Sequence, residues 1–266
     1  MRCLRVAPAW RAAAAAAAAL TIATGARPAR ADATDLVARP LGLLRGQLDA
    51  QLVAEVSLRP LAEPFSLAPD LWYGAAPRFT IGLVHSARSL GLIDDGATLC
   101  FRGRPPLGCA RAYRGSGVDA RFHLREGPLA VAPRARLLLR DIDPAKPAIT
   151  VGALVRWTRG RFAVTGDPYL RLGLASRDLG NRAALVVPVW LAVQPTCRWL
   201  VALHTGWDGE LAILDDGWHI PIGLGAEVRV FGRLHVAVEA GFRSLLGPQH
   251  DLKTRTLALA LAWRPT

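Results

Sequence analysis

The chain has 266 residues, 52% of them hydrophobic, and a formal charge of +12 from 33 basic and 21 acidic residues. Lys146 and Lys253 are its only lysines, and basic residues do not cluster with aromatic ones, so the composition gives no indication of nucleic-acid binding. After the N-terminal region there is no apolar run of 18 or more residues, which argues against a transmembrane helix and leaves strands as the means of crossing a membrane.

The first 31 residues have the pattern of a secretory signal peptide. Three arginines precede an uncharged run over 12–24, and an Ala-x-Ala site ends at Ala31. The run is shorter than the roughly 20 residues that a membrane-spanning helix needs, so we expect cleavage and export; a retained anchor helix is the alternative. Removing five arginines leaves a formal charge of +7. The predicted divisions are a signal peptide (1–31), an N-terminal lead-in segment (32–46) and the main domain (47–266).

In the main domain, bulky apolar residues alternate with polar or small ones, which is the pattern of β-strands. In the first run, for example, Leu48, Leu52 and Val56 share one face, while Asp49 and Glu55 share the other. We predict about twelve strands, with ten or fourteen as alternatives. They lie at 47–58, 65–74, 79–86, 117–126, 129–140, 148–158, 161–175, 183–194, 198–205, 219–231, 234–243 and 254–264.

The strand lengths and the connections favour a membrane barrel. Most runs approach the roughly 9–11 residues of a tilted membrane-spanning strand, whereas strands of globular proteins centre near about 5–6. Short and long connections alternate, as expected for a barrel with both termini at one end. Two runs are irregular: 161–175 is interrupted at 165–168 by a bulge or a turn, and 183–194 is apolar on both faces. The long connections are 59–64, 87–116, 141–147, 176–182, 206–218 and 244–253.

This architecture resembles that of the bacterial outer-membrane β-barrel proteins, and the resemblance covers the whole mature chain. It implies an all-β, antiparallel transmembrane barrel with short periplasmic turns and longer outer loops, in the outer membrane of a Gram-negative bacterium. Outer-membrane lipid, lipopolysaccharide and the barrel-assembly machinery are the implied partners. Family barrels commonly end on an aromatic residue; here Trp263 is followed by three further residues. A soluble two-sheet sandwich is the alternative fold.

Aromatic residues recur beside the short connections, at what would be one level of the barrel. Tryptophan and tyrosine favour the membrane interface, so we interpret this set as a periplasmic aromatic girdle; aromatic packing at the end of a soluble sandwich is the alternative. The predicted girdle consists of Trp72, Tyr73, Phe79, Trp157, Phe162, Trp199, Phe231 and Trp263.

If the bulky face contacts lipid, the other face lines an interior rich in arginine. Such a wall could form a water-filled pore that favours small anionic solutes. Alternatively, arginines and carboxylates could form a salt-bridged plug in a filled barrel. The predicted pore-lining residues are Arg121, Arg125, Arg134, Arg136, Arg140, Arg156, Arg171, Arg229, Arg243, Asp49, Glu55, Asp119, Glu227 and Glu239.

Cys100 and Cys109 bracket part of the longest predicted loop. Exported proteins favour disulfides, and the spacing fits no common zinc site, so we predict that these two are bridged and that Cys197 is a lone thiol. We expect no metal and no cofactor.

Enzymatic activity finds little support in the sequence. Some outer-membrane barrels are lipid hydrolases with a serine and a histidine, and Ser86 beside His85 is the nearest candidate. Adjacent strand residues point to opposite faces, so these side chains should not meet. We therefore predict a narrow, porin-like channel with mild anion preference. The alternatives are a non-conducting structural or surface-interaction barrel that contacts lipopolysaccharide or a partner and, less favoured, a lipid hydrolase.

Overall fold

The computed structural model describes residues 36–58, 65–86, 99–100 and 113–265. Within these ranges the chain forms an antiparallel sheet of fourteen strands. They are β1 (Leu48–Ser57), β2 (Phe65–Ala76), β3 (Phe79–Val84), β4 (Leu99–Cys100), β5 (Ser116–Phe122), β6 (Leu129–Ile142), β7 (Ala145–Arg159), β8 (Phe162–Gly166), β9 (Tyr169–Gly173), β10 (Ala184–Thr196), β11 (Trp199–Glu210), β12 (Trp218–Phe231), β13 (Leu234–Leu246) and β14 (Asp251–Trp263).

The sheet closes into a barrel with twelve strand positions. β8 and β9 occupy one position, because both pair with β7 on one side and β10 on the other. Within the described ranges, the two-residue β4 pairs only with the beginning of β2. The prediction of an all-β antiparallel barrel of about twelve strands is therefore confirmed, and the interruption predicted in 161–175 separates β8 from β9.

The first and last strands close the barrel. β1 and β14 are antiparallel neighbours, with Leu52 opposite Leu261 and Ala54 opposite Leu259. Because side chains alternate along a strand, this register places leucines of both strands on the same outer face. Closure pairs the edges that an open sheet would leave exposed.

The two faces of the wall have the chemistry that the alternation predicts. Leu52, Leu137, Leu224 and Leu259 on four different strands are each at least 40% exposed on the outer face. Most of their strand neighbours on the inner face are polar or small, and Val53 and Leu138 are buried apolar exceptions. An apolar outside around a polar inside is the arrangement of a barrel that stands in lipid. Within the described parts of the chain, no helix has the length and hydrophobicity that a membrane crossing requires.

Two predicted connections differ from the structure. Residues 141–147 are not a long loop, because β6 and β7 extend toward each other and pair as far as Ile142 with Ala145. Conversely, the connection at 127–128 is wider than predicted. β5 ends at Phe122, and beyond it only an isolated bridge joins Arg125 to Val131.

Because strand 183–194 is apolar on both faces, its sequence does not show which face points into the barrel, and the structure of β10 does. The even-numbered residues Ala184 and Val186 are buried inside, whereas Leu185 and Leu191 are exposed outside. Trp190 therefore belongs to the inner face of the barrel.

Candidate channel interior

A buried ion-pair network lies along the inner wall of the barrel, from β5 and β6 to the interruption between β8 and β9. Asp119 is fully buried and accepts a 2.8 Å hydrogen bond from Trp72 Nε1. Its carboxylate also lies 2.6 Å from Arg121 Nη2 and 2.7 Å from Arg134 Nε. Arg134 then continues to Asp167, with 2.5 Å between Nη1 and Oδ2. The carboxylates thus hold two arginines against the wall and neutralise part of their charge.

The position of Trp72 differs from the predicted girdle. It is buried inside the barrel, and its ring lies under the guanidinium of Arg121, with 4.8 Å from Cζ to the ring centroid. A buried indole N–H needs an acceptor, and Asp119 provides one. The other predicted girdle residues are all at least 37% exposed beside the short turns: Tyr73, Phe79, Trp157, Phe162, Trp199, Phe231 and Trp263.

A second group of inward arginines lies on β6 and β9, toward the end with the longer loops. Arg136 donates a 2.9 Å hydrogen bond to Thr150, and its guanidinium lies 4.3 Å from the centroid of the Tyr169 ring. Arg140 donates a 3.3 Å hydrogen bond to Asn181. Arg171 is also buried, directly opposite Thr150 in the sheet. The register therefore collects these long cationic side chains on one side of the interior.

The remaining predicted pore-lining residues have varied surroundings. Glu55 is buried and accepts from Ser66, and Glu239 lies 3.1 Å from His204 Nδ1. Arg229 donates to the carbonyl of Cys197 at a short turn, with a distance of 3.1 Å. Arg243 is half-buried near a register shift in β13, and Arg125 is exposed beyond the end of β5.

The wall formed by β12, β13 and β14 carries small inward residues. Gly223 and Gly225 on β12 face inward, and a Cβ added at either position would have no atom nearer than 3.4 Å. Gly241 on β13 pairs with Gly223, and Ala258 on β14 pairs with Glu239 of β13, which lies between Ala258 and Gly225 and places one carboxylate beside this wall. We call the three glycines and Ala258 the small-residue wall. They lie across the barrel from the arginines of β6 to β9.

The interior of the barrel is also occupied by the chain itself, which the sequence did not predict. Residues 36–46, here called the inner segment, run through the end of the barrel that carries the short turns. The Oε1 atom of Gln194 on β10 accepts hydrogen bonds from Leu36 N and Val37 N at 2.8 and 3.1 Å. On the opposite side, Leu43 N donates to Thr80 Oγ1 on β3 at 2.9 Å.

Charged groups fix the middle of the inner segment. Arg39 donates a 2.6 Å hydrogen bond to Glu227 on β12, and Arg156 on β7 donates to the carbonyls of Ala38 and Arg39. Glu227 also lies 2.9 Å from His235 Nδ1. The inner segment is therefore attached to strands on several sides of the ring and narrows the interior there.

Two glycines let the inner segment approach the wall closely. A Cβ on Gly42 would lie 1.2 Å from His123 Nε2, and a Cβ on Gly74 would lie 1.9 Å from the carbonyl oxygen of Leu44. Gly46 N donates to the carbonyl of Gly74 at 2.8 Å, which joins the segment to β2. The docked position of the segment thus depends on small residues on both sides of the contact.

The fold is similar to those of several solved outer-membrane proteins. The KdgM porin in complex with disordered oligogalacturonate gives a TM-score of 0.55 at 8% identity, covering 82% of this chain and 99% of that one. The NanC porin gives 0.58 at 6% identity, covering 80% and 100%. An outer membrane channel from Pseudomonas putida F1 gives 0.53 at 12% identity, covering 84% and 96%.

The chain has the fold of an outer-membrane porin. At these identities the likeness shows the fold alone. No protein-family model matches the sequence, and no curated protein matches it.

On this porin fold, Ser86 and His85 do not form a catalytic pair. Ser86 is buried and donates a 2.6 Å hydrogen bond to Asp70 Oδ2, whereas His85 Nδ1 lies 2.7 Å from the carbonyl oxygen of Pro69. The serine hydroxyl and the histidine ring therefore bond to different groups just beyond the end of β3, and no hydrogen bond between them is described. Among the described residues, no group of three or more histidine, cysteine or carboxylate side chains is placed to hold a metal ion.

The structure corrects one of the cysteine expectations. Cys197, at a short turn, is disulfide-bonded, so the prediction of a lone thiol is wrong. The predicted Cys100–Cys109 bridge involves Cys109, which lies outside the described residues.

Proposed function

We propose that the protein is a narrow outer-membrane channel with a mild preference for small anions. The observation that carries this proposal is the one-sided interior, in which buried arginines of β6 to β9 face a small-residue wall. Small side chains leave room for a solute, and fixed positive charge attracts anions. Asp119 and Asp167 neutralise part of that charge, so the expected preference is mild. The solved complex of one porin of this fold with oligogalacturonate, an acidic sugar polymer, is consistent with an anionic solute.

The inner segment constricts this channel at its periplasmic end. Its contacts with Gln194, Glu227 and Thr80 reach strands that lie far apart around the ring. A solute that travels along the small-residue wall therefore meets the segment before it leaves the barrel. The conductance of the intact protein should accordingly be low.

The chain reaches the outer membrane after residues 1–31 are removed. The seven exposed aromatic residues beside the short turns form the periplasmic girdle, where aromatic side chains are favoured. The barrel-assembly machinery recognises the last strand, which ends at Trp263. Lipopolysaccharide surrounds the opposite end, where Lys253 and Arg255 are exposed near the start of β14 and suit its phosphate groups.

The proposal is tested by conductance in planar bilayers under a salt gradient. The mature protein is compared with a variant that lacks residues 32–43. We expect small, infrequent openings from the mature protein and a conductance several times larger from the truncated one, with a reversal potential that indicates anion selectivity. A cation-selective reversal potential in the truncated barrel would contradict the anion preference.

A non-conducting structural barrel is the second candidate function. The inner segment favours it, because hydrogen bonds and ion pairs fix the segment across the interior. This candidate predicts no conductance from the mature protein across many insertions. Heat-modifiable migration on a denaturing gel shows that each variant forms a barrel, so that silence can be interpreted.

A further inference from the structure

One inward arginine on β9 is buried without a partner. Arg171 is 5% exposed, and its Nε atom is enclosed without a hydrogen bond. Within the described parts of the chain, no ion pair or side-chain hydrogen bond joins Arg171 to another residue. Arg134, by comparison, is held by the carboxylates of Asp119 and Asp167. Because an enclosed charged donor without an acceptor is costly, Arg171 gains from a bound acceptor.

The strands on either side of Arg171 bring no carboxylate beside it. Its direct partners in the sheet are Thr150 on β7 and Ala184 on β10. The Thr150 hydroxyl already accepts a 2.9 Å hydrogen bond from Arg136. The immediate neighbours of Arg171 across the sheet are therefore neutral, and an acceptor for its guanidinium has to come from elsewhere.

Two further hydrogen-bond donors lie in the same part of the interior. Tyr169 is the preceding inward residue of β9, and it packs with Ala184 and Val186 in a small buried apolar cluster. His219 on β12 is 5% exposed. Both Tyr169 and His219 lie within electrostatic range of Arg171. A phenol and an imidazole can each donate a hydrogen bond, so three kinds of donor meet beside an apolar base.

The charges around these donors leave a positive balance. Arg140 lies close enough to Arg171 for the two guanidinium groups to repel each other. Asp208 on β11 is the opposing charge, since it acts on both His219 and Tyr169. Glu210, a second carboxylate in range of Arg140, is already paired with Arg182 at 3.3 Å. One bound anion would relieve the repulsion between the two guanidinium groups.

We propose that Arg171, Tyr169 and His219 bind one small tetrahedral oxyanion, such as inorganic phosphate. Phosphate pairs strongly with a guanidinium, and its remaining oxygens can accept from the phenol and the imidazole, whereas a carboxylate has only two oxygens. The enclosure of Arg171 and His219 suits a small anion better than a polymer. All three residues lie inside the barrel, so the phosphates of the surrounding lipid do not reach them. The inference rests on the proposed channel function and names a solute class and its site.

Calorimetric titration of the detergent-solubilised mature barrel tests the site. The probes are inorganic phosphate, sulfate and acetate, each added at constant ionic strength so that screening does not change. We expect saturable binding of phosphate and sulfate, and at least about tenfold weaker binding of acetate. Equal affinity for acetate, or no saturable heat with phosphate, would overturn the proposal.

A pair of arginine variants locates the site. Arg171→Gln should weaken phosphate binding at least about tenfold. Its matched control is Arg177→Gln, which removes the same charge from an exposed residue that donates to the carbonyl of Gly173 at 2.9 Å and should leave the affinity unchanged. Heat-modifiable migration verifies that each variant forms a barrel. Equal weakening by the two variants would show that phosphate responds to overall charge and does not occupy this site.

Asp208→Asn tests the site in the opposite direction. It removes the carboxylate that repels an anion beside His219, so phosphate should bind several-fold more tightly. A purely structural role of Arg171 gives no such gain. Unchanged or weaker binding of phosphate by Asp208→Asn would contradict the placement of the anion.

The same proteins separate this inference from the channel proposal. If phosphate binds as predicted but neither the mature nor the truncated barrel conducts, the channel proposal fails and the binding site stands. If the truncated barrel conducts anions but the mature barrel does not bind phosphate, the binding site fails and the channel stands.

Discussion

The two sides of the barrel interior are packed differently: β6 to β9 carry long arginines, whereas β12 to β14 carry the small-residue wall. On β6 to β9, long arginines fill the space, and Gly152 is crowded: a Cβ there would lie 2.1 Å from the carbonyl oxygen of Pro168. On β12, by contrast, a Cβ on Gly223 or Gly225 would have its nearest neighbour at 3.4 Å, an ordinary contact distance, although a Cβ on Gly241 of β13 would lie 2.5 Å from the Cα of Gly223. The arginine side is therefore a packed, ion-paired structure, whereas the small-residue wall borders the remaining space. The proposed passage therefore lies opposite the side that carries most of the charge.

The largest effect is expected on the packed side, from Asp119→Asn. This change removes the carboxylate that neutralises Arg121 and Arg134 while both remain enclosed. Breaking a buried ion pair in this way costs about 3–5 kcal/mol. We expect that loss in the free energy of unfolding, measured by urea titration of the barrel in lipid vesicles.

Asp49→Asn is the matched control for Asp119→Asn. The Asp49 carboxylate makes a single described ion pair, 3.6 Å from Arg264, so its loss should lower the free energy of unfolding by less than the loss of the Asp119 carboxylate does. Equal losses for the two variants would show that the Asp119 network does not stabilise the packed side.

A smaller loss is expected where the wall meets lipid. Leu259 on β14 is 53% exposed on the outer face, so Leu259→Arg should cost about 2–4 kcal/mol in vesicles. The neighbouring variant Ala258→Arg places the same charge on the small-residue wall and should cost about 1 kcal/mol or less. If Leu259→Arg is tolerated as well as Ala258→Arg, the outer face does not contact lipid.

The smallest effect is expected for Gln194→Leu, which acts on the inner segment. The loss of one acceptor leaves Leu36 N and Val37 N without their partner, which should loosen the segment by about 1–2 kcal/mol. Hydrogen exchange at these two amides measures this loosening.

Gln51→Leu is the control for Gln194→Leu, because Gln51 bonds to Asp70 inside the barrel at 3.2 Å and has no described contact with the inner segment. It should leave exchange at Leu36 and Val37 unchanged. Unchanged exchange in Gln194→Leu, or equally faster exchange in both variants, would contradict a specific role of Gln194 in holding the segment.

The strands of the barrel wall could be predicted from the sequence, because the alternation of apolar with polar or small residues is visible within each strand and does not depend on which strands pair with it. All twelve predicted runs correspond to strand positions, and the first and last runs, β1 and β14, pair to close the barrel. Polarity was ambiguous only where both faces are apolar, as in β10.

The contents of the barrel do not follow from the sequence in the same way. Residues 36–46 have no alternating pattern, and their position depends on partners up to 188 residues away, such as Glu227. Trp72 was assigned to the girdle together with Tyr73, although adjacent strand residues face opposite sides; only the contact with Asp119 shows which of the two lies inside. Asp167 lies in the interruption between β8 and β9, where alternation gives no direction.

The central claim is that the passage follows the small-residue wall, and single-channel conductance of the barrel without residues 32–43 tests it most directly. In that background, Gly225→Trp places a large ring beside the proposed passage, whereas Leu224→Trp places the same ring on the lipid side. We predict that Gly225→Trp lowers the conductance by about half or more, as a narrower pore requires, and that Leu224→Trp leaves it unchanged. An unchanged conductance in Gly225→Trp, in a barrel that retains its heat-modifiable migration, would contradict the account.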